Sequence, residues 1–589
     1  MNKQSMARAI LILFVVLCIC GICSGIGAKE ESAEPLEPII AEQIPTVAKQ
    51  TIPTQTPTNT PVPEKEPPVE LTVYSQLTSF WGEQQGWFAD IIREKFNVVL
   101  QIEPFLPEDK NHQGDIILFA STGKKYKTAV EEGWLLDWEE NNLLKEHGSY
   151  IAEHMSKALE HNRELTPKQG GIYGLGNSVA PDAKSVGEYL YTWDIRWDLY
   201  QKLGHPGVTD LDSLAQVLER MKQICPVDEN GEETYGVSLW SEWDDDLVFA
   251  VTSMTEAYYG SEEFYLGLYD VEDGGFQGAL EEDGAYLRVV EFLNLLHRKG
   301  LLDPESISQS YAETVAKMQN GEVFFSLYEY AGSSIYNTEF HKKGNTYMAP
   351  LVPAEATLVA YGLSVTGGNK IWSISANTDY PQLCMELLNW LCTPEGVMTA
   401  MYGPQGVIWD YDENGCAYFT EFGKQCRENG STLMNGEYSK IPYGEGLPHM
   451  NFTTWNAYSE NPDSNGEQYH WSSWKHDIAE TGCDAEQDWR SYTEAQSRVE
   501  YLNQQQVVVS IDSDYEKTEA EELAESWEKV SDCIKTGTWR AIYADSEEDF
   551  NKIIAGMREE ALNLGYEECI LWCENQAMVR RSMEEKVLK

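Results

Sequence analysis

Apolar positions along this chain switch repeatedly between two periods. Leu71-Thr72-Val73-Tyr74 alternates like a strand, and Phe88, Ile91, Ile92 and Phe96 then recur at helical spacing. Val98 to Ile102 reads as a second strand. Asp115 to Phe119 reads as a third, and its Ile116-Ile117-Leu118-Phe119 is apolar without a break, as in strands buried on both faces. This βαβαβ order predicts a parallel sheet covered by helices. Helical stripes return at Leu211, Leu214, Leu218 and Met221, entered at Asp210, and at Tyr286, Val289, Val290, Leu293 and Leu296, stopped by Gly300. Another, at Leu383, Leu387 and Leu391, is opened by Pro381 and halted before Pro394. The expected class is α/β, and 589 residues exceed what one core covers, so the body should divide into lobes.

The front of the chain has a different pattern. Lys3 and Arg8 precede an apolar or small run from Ala9 to Ile26, the arrangement of an export signal or a retained membrane anchor. Cys18, Cys20 and Cys23 crowd its end. Cys23 is the candidate for lipidation, although Ile22 before it is large; cleavage near Ala28 and no cleavage are the alternatives. All three place the protein outside the membrane, on its outer face if it stays attached. Residues 1–28 are therefore signal or anchor. The segment 29–69 is a spacer: residues 30 to 69 hold nine prolines and six threonines but no glycine or aromatic, so they lack the means to build a core.

Composition narrows the partners. With 43 basic and 96 acidic residues the formal charge is −53, which repels nucleic acid and anionic lipid alike. The chain also holds 18 Trp, 32 Tyr and 17 Phe. Several fall where ligands bind in open α/β sheets, just beyond the ends of strands. Ser79-Phe80-Trp81, the run Trp240-Ser241-Glu242-Trp243-Asp244-Asp245-Asp246, and Tyr328-Glu329-Tyr330 all place rings beside carboxylates. A sugar offers an apolar C–H face that stacks on a ring and hydroxyls that donate to carboxylates. Trp81, Trp240, Trp243, Asp245, Tyr328 and Glu329 are therefore expected to contact ligand, whereas Trp134, Trp138, Trp197, Trp390 and Trp572, inside regular elements, are expected in the core. The same rings and acids would also attract a cation.

No catalytic or cofactor motif accompanies these residues. The sequence has no phosphate loop, dinucleotide fingerprint, HExxH or nucleophile elbow, and its ten histidines form no pair at metal spacing. Asp410, Asp412, Asn414, Gly415 and Glu421 fit EF-hand spacing, but strand-like runs flank them, so a hairpin turning at Asn414-Gly415 is expected and no metal site is assigned. An extracellular glycoside hydrolase would need two facing carboxylates; Glu242, Asp246 and Glu329 are the available acids.

From Glu70 onward the chain resembles the solute-binding lipoproteins of bacterial ABC importers, in their oligosaccharide branch. Gly171-Ile172-Tyr173-Gly174-Leu175, Leu190 to Asp198, Lys202-Leu203-Gly204, the Gly231–Gly236 stretch and Met318-Gln319-Asn320-Gly321-Glu322-Val323 carry the resemblance. Trp372-Ser373-Ile374-Ser375 and Leu387 through Gly396 are its most characteristic piece. It implies a two-lobed, periplasmic-binding-protein-like fold of class II type, with hinge crossovers near Leu190 to Ile195, Tyr361 to Ile374 and within Gly444 to Trp455. The implied lobes are 70–191 and 362–445 for the first, and 192–361 and 446–589 for the second. It implies a monomer that captures an oligosaccharide or other small molecule and hands it unchanged to permease subunits, without cofactor or metal. On that reading Trp193 and Trp455 become cleft-wall candidates, and Ser121 and Thr122 donors from the first lobe. A sensor for peptide or cationic ligands is a further possibility of the same fold. The relatives' calcium loop is not carried over, because Pro226 to Glu232 is short of ligands.

Overall fold

The computed structural model describes residues 67–104, 114–187, 189–478 and 482–589. The leader, Cys23 and the spacer through residue 66 lie outside the described residues. In chain order the strands are β1 (Val69–Ser75), β2 (Gly82–Glu83), β3 (Val98–Pro104), β4 (Ile116–Phe119), β5 (Leu175–Gly176) and β6 (Tyr191–Arg196). Then come β7 (Tyr235–Val237), β8 (Ser261–Phe264), β9 (Gly267–Asp270), β10 (Phe276–Gly278), β11 (Val323–Tyr328) and β12 (Met348–Pro350). The last are β13 (Thr357–Tyr361), β14 (Ile371–Ile374), β15 (Trp409–Tyr411), β16 (Ala417–Phe419) and β17 (Gln506–Ser510).

Two main sheets organise two separate apolar cores. The first sheet has the order β2-β3-β1-β4-β14-β5. Its β3, β1 and β4 are parallel, as the βαβ pattern predicts, and β14 joins β4 antiparallel from far along the chain. Around it pack Leu71, Ile102 and Leu118 with Trp87, Trp138, Trp372, Leu388 and Trp409. The second sheet has the order β12-β6-β11-β7, with β6 antiparallel to β11 and β7 parallel to it. Its core takes in Trp193, Trp197, Leu218, Val290 and Phe325.

Local chemistry explains the helix ends. Helix Leu211–Ile224 begins at Asp210, whose carboxylate accepts the Ser213 amide while the Ser213 hydroxyl accepts the Asp210 amide. The stripe read from the sequence, Leu211, Leu214, Leu218 and Met221, is the face it buries. Pro381 and Pro394 open consecutive helices, Pro381–Cys392 and Pro394–Tyr402. Three long helices, Ala524–Ile542, Glu547–Asn563 and Tyr566–Leu588, finish the chain against the second core. Among the described residues no helix is long and apolar enough to cross a membrane.

The chain passes between the cores three times. Val179 belongs to the first core and Tyr189 to the second; Ala360 lies in the second and Trp372 in the first; Trp474 lies in the first and Ala485 in the second. The first passage therefore precedes the expected Leu190 to Ile195, which is a second-sheet strand. The last follows the expected Gly444 to Trp455. Met450, Trp455, Tyr469 and Trp474 all pack in the first core, so 446–474 belongs with the first sheet and not with the second lobe. The EF-hand-like stretch forms the expected hairpin: β15 pairs antiparallel with β16, and Asp412 accepts the Asn414 and Cys416 amides across the turn. Glu421 opens helix Glu421–Glu428 behind a Thr420 cap.

Leu118 is fully buried in β4, between β1 and β14. Its replacement by Ala should cost ~2–5 kcal/mol of unfolding free energy, read as a lower urea midpoint for the first-core transition.

Candidate functional site

The loops after β7 and β11 converge on one aromatic cluster. Trp240 lies in the second core and is 2% exposed; Tyr328, at the end of β11, is 3% exposed. Their rings meet at 5.1 Å, and Phe249 stacks on Tyr328 at 5.5 Å, nearly parallel. Over this base lie three half-buried rings. Trp243 stacks on Tyr311 at 4.9 Å and reaches Tyr330 at 6.0 Å. Trp240 meets Trp243 edge-on at 5.2 Å, and the Tyr311 hydroxyl donates to the Tyr330 carbonyl at 3.2 Å. The result is a ledge of Trp243, Tyr311 and Tyr330 resting on a buried aromatic floor.

Carboxylates flank the ledge. Glu242, exposed, accepts the Tyr311 amide at 3.2 Å. Glu329 lies between the two tyrosines of its motif, and its carboxylate is 3.9 Å from the Arg498 guanidinium. Arg498 also pairs with fully buried Asp194, which accepts the Ser333 amide as well. The neighbouring carboxylates favour the guanidinium's charged form and outweigh its burial, raising its pKa further. Arg498 Nη1 and Trp240 Nε1 are buried donors without a hydrogen-bond partner.

The other acids of the Trp240–Asp246 loop serve the scaffold. Asp244 accepts the Trp539 indole N–H at 2.7 Å and the Phe249 amide at 3.0 Å; burial pushes its pKa up to about 6 against the pull of those bonds. Asp246 accepts the Trp527 indole at 2.8 Å, and burial raises its pKa too. The Asp245 carbonyl accepts the Lys535 ammonium at 2.7 Å. The C-terminal helix Ala524–Ile542 thus holds the loop from beneath. Asp246, considered from sequence as one of a catalytic pair, is committed to that helix.

Several expected site residues lie elsewhere. Trp240 is floor and not wall. Trp193 is fully buried against Phe325 and Tyr258, its indole donating to the Ala257 carbonyl, so it is not a cleft residue. Trp455 is 6% exposed and donates to the Cys392 carbonyl within the first core, so it too is excluded from the cleft. In the first lobe Trp81 is 73% exposed in the loop after β1. That loop is tied down by Asn451 donating to the Leu77 carbonyl and by Phe80 stacking on His449 at 3.9 Å. Ser121 is exposed and accepts the Gly123 amide at 3.4 Å; Thr122 is half-buried. Among the described residues, Trp81, Ser121 and Thr122 make no ring contact or hydrogen bond with the second-lobe ledge.

Tyr311 and Arg498 escaped the sequence reading. Tyr311 follows a Ser310 cap and looks like an ordinary first helical residue. Arg498 comes from a short helix 304 positions after Asp194, a separation that no local pattern announces. Tyr330 stood inside the quoted Tyr328-Glu329-Tyr330 motif and was readable there. Two shallow depressions, along Gly556 to Leu564 and around Tyr259, Asp270 and Arg288, include none of these rings.

Residues 201–408 match the family model described as bacterial extracellular solute-binding protein. No curated protein matches the sequence. Among solved structures, the chain is similar to the N-glycan transport solute binding protein NgtS from Streptococcus pneumoniae, with 14% identity, 89% of this chain and 99% of that one covered, and a TM-score of 0.44. It is also similar to an extracellular solute-binding protein from Bifidobacterium longum subsp. infantis, with 14% identity, 87% and 98% covered, and a TM-score of 0.47. The matched segment spans the second sheet's β7, β11 and β12, the aromatic ledge and the helices of Pro381 to Tyr402.

Proposed function

We propose that this protein is the extracellular substrate-binding component of an ABC importer, closing two lobes over a carbohydrate and passing it unchanged to permease subunits. The observation that carries the reading is the ledge of Trp243, Tyr311 and Tyr330 set between Glu242 and Glu329. Rings of this kind cover the C–H face of a pyranose, and the flanking carboxylates accept its hydroxyls. The match of residues 201–408 to a solute-binding family model supports solute binding, and the two separate cores, between which the chain passes three times, support a joint for closure. Trp81, Ser121 and Thr122 meet the ligand from the first lobe on closure. The protein works as a monomer without cofactor or nucleic acid, tethered through Cys23 or an uncleaved leader.

Titration calorimetry against neutral oligosaccharides, peptides and polyamines tests this reading. Saturable heat with at least one glycan is expected, and no product should accumulate. Binding of peptides or polyamines alone would refute the sugar assignment, and glycan turnover would refute transport.

The two indoles of the 240–246 loop should separate in behaviour. Trp243→Ala should cost ~1–3 kcal/mol of glycan affinity with little change in unfolding. Trp240→Ala should lower the urea midpoint by the equivalent of ~3–5 kcal/mol, because it leaves a cavity under the ledge.

A further inference from the structure

The two main sheets open toward the same stretch of chain. β1 and β4 are parallel and end at Ser75 and Phe119. β14 begins at that edge, with Ile371 against Phe119, and β5 ends there, with Gly176 against Ile371. The first passage leaves directly from Gly176. In the second sheet β7 and β11 are parallel and end at Val237 and Tyr328. The passage arrives at that edge, with Tyr191 of β6 against Tyr328. It thus links the carboxyl edge of one sheet to that of the other, and such edges are where open α/β sheets hold ligands. The aromatic ledge occupies the second edge.

The loop 450–454 is fixed across the first edge. The Ser75 hydroxyl donates to the Met450 carbonyl at 3.1 Å, and the Asn451 side-chain amide donates to the Leu77 carbonyl at 2.8 Å. Phe452 meets Trp372 of β14 edge-on at 5.6 Å. The Ser178 and Val179 amides, at the start of the passage, donate to the Thr453 and Thr454 carbonyls. Two residues of this junction hold left-handed backbones, Ser178 with φ 53° and Asn451 with φ 56°. Glycine would take that conformation freely, whereas a residue with a Cβ is strained in it. Each of these two instead adds a polar group where the strain is held. The Ser178 hydroxyl accepts from the Asn177 side-chain amide at 2.9 Å and lies 3.2 Å from the Thr453 hydroxyl. Asn451 and Thr453 are exposed and Ser178 is half-buried.

We propose that Ser178, Asn451 and Thr453 are hydroxyl-reading contacts of the first lobe, bonding the same glycan whose ring face stacks on Trp243, Tyr311 and Tyr330. This assignment deepens the carbohydrate reading of the ledge and rests on it. With its nitrogen committed to Leu77, Asn451 presents its amide oxygen to a sugar hydroxyl, and the Ser178–Thr453 pair can give or accept a further bond. The lobes then divide the work. The ledge supplies apolar stacking, which is tolerant of hydroxyl stereochemistry, and the strained junction supplies directional bonds that form only as the lobes close.

Calorimetry of the whole chain with cellotriose, maltotriose, mannotriose and triacetylchitotriose tests this, with W243A as the control for the ledge. T453V, which keeps the side chain's shape, and N451A should each weaken the probe that binds by about fivefold or more, at an unchanged urea midpoint. S178G should weaken it as well without lowering the midpoint, because glycine relieves the strained φ. Weaker binding by W243A with wild-type binding by the other three variants would overturn the assignment and leave the carbohydrate reading standing. Affinity lost only in variants that also unfold earlier would make these residues scaffold and overturn it equally. A wild-type chain that binds none of the four probes would overturn both.

Discussion

The architecture depends on how backbone polar groups are satisfied where the chain leaves one core for the other. A passage between cores has no sheet of its own, yet its amides and carbonyls still need partners. The crossings solve this by bonding to one another. Gly362 donates to the Ser510 carbonyl, Leu363 to the Ser185 carbonyl, and Ala180 to the Ser364 carbonyl. Gly362 stands at the tightest point: a Cβ there would lie 2.3 Å from the Ala183 oxygen and 2.9 Å from that of Ser510. The close approach demands a residue without a side chain.

The aromatic ledge is likewise built in layers. Buried rings at Trp240 and Tyr328, with half-buried Phe249 stacked on Tyr328, make the floor. Half-buried rings at Trp243, Tyr311 and Tyr330 take their orientation from it, and acids at the edge take theirs from backbone amides or from Arg498. Asp194, Asp244 and Asp246 are each committed to partners inside the protein.

Local pattern made the first sheet's β1, β3 and β4 and the capped helices legible, because their periodicity and end residues act over a few positions. The joint was less so. Residues 446–474 carry no sustained helical or strand period, and Trp455 and Trp474 enter the first core from loops. Trp193 misled because every residue of β6 is buried, so neither face of that strand opens to solvent. Trp240 misled for a related reason: a position just past a strand still lies beneath the surface when the loop beyond it folds back. The Tyr328-Glu329-Tyr330 motif was readable because its residues share one turn, whereas Arg498 and Tyr311 join the site only through tertiary folding.

The loop bearing Trp240 and Trp243 also carries a consequence for the order in which this protein is built. Its Asp244 and Asp246 are bonded to Trp539 and Trp527, which follow them by 295 and 281 positions. A chain emerging from its N-terminus will assemble the sheets around β6 and β11 while those anchors are still inside the ribosome or the export channel. The loop that carries the ledge is thus the last part to set, and a molecule interrupted before its final helices would lack both the anchors of that loop and the side chains those helices add to the second core.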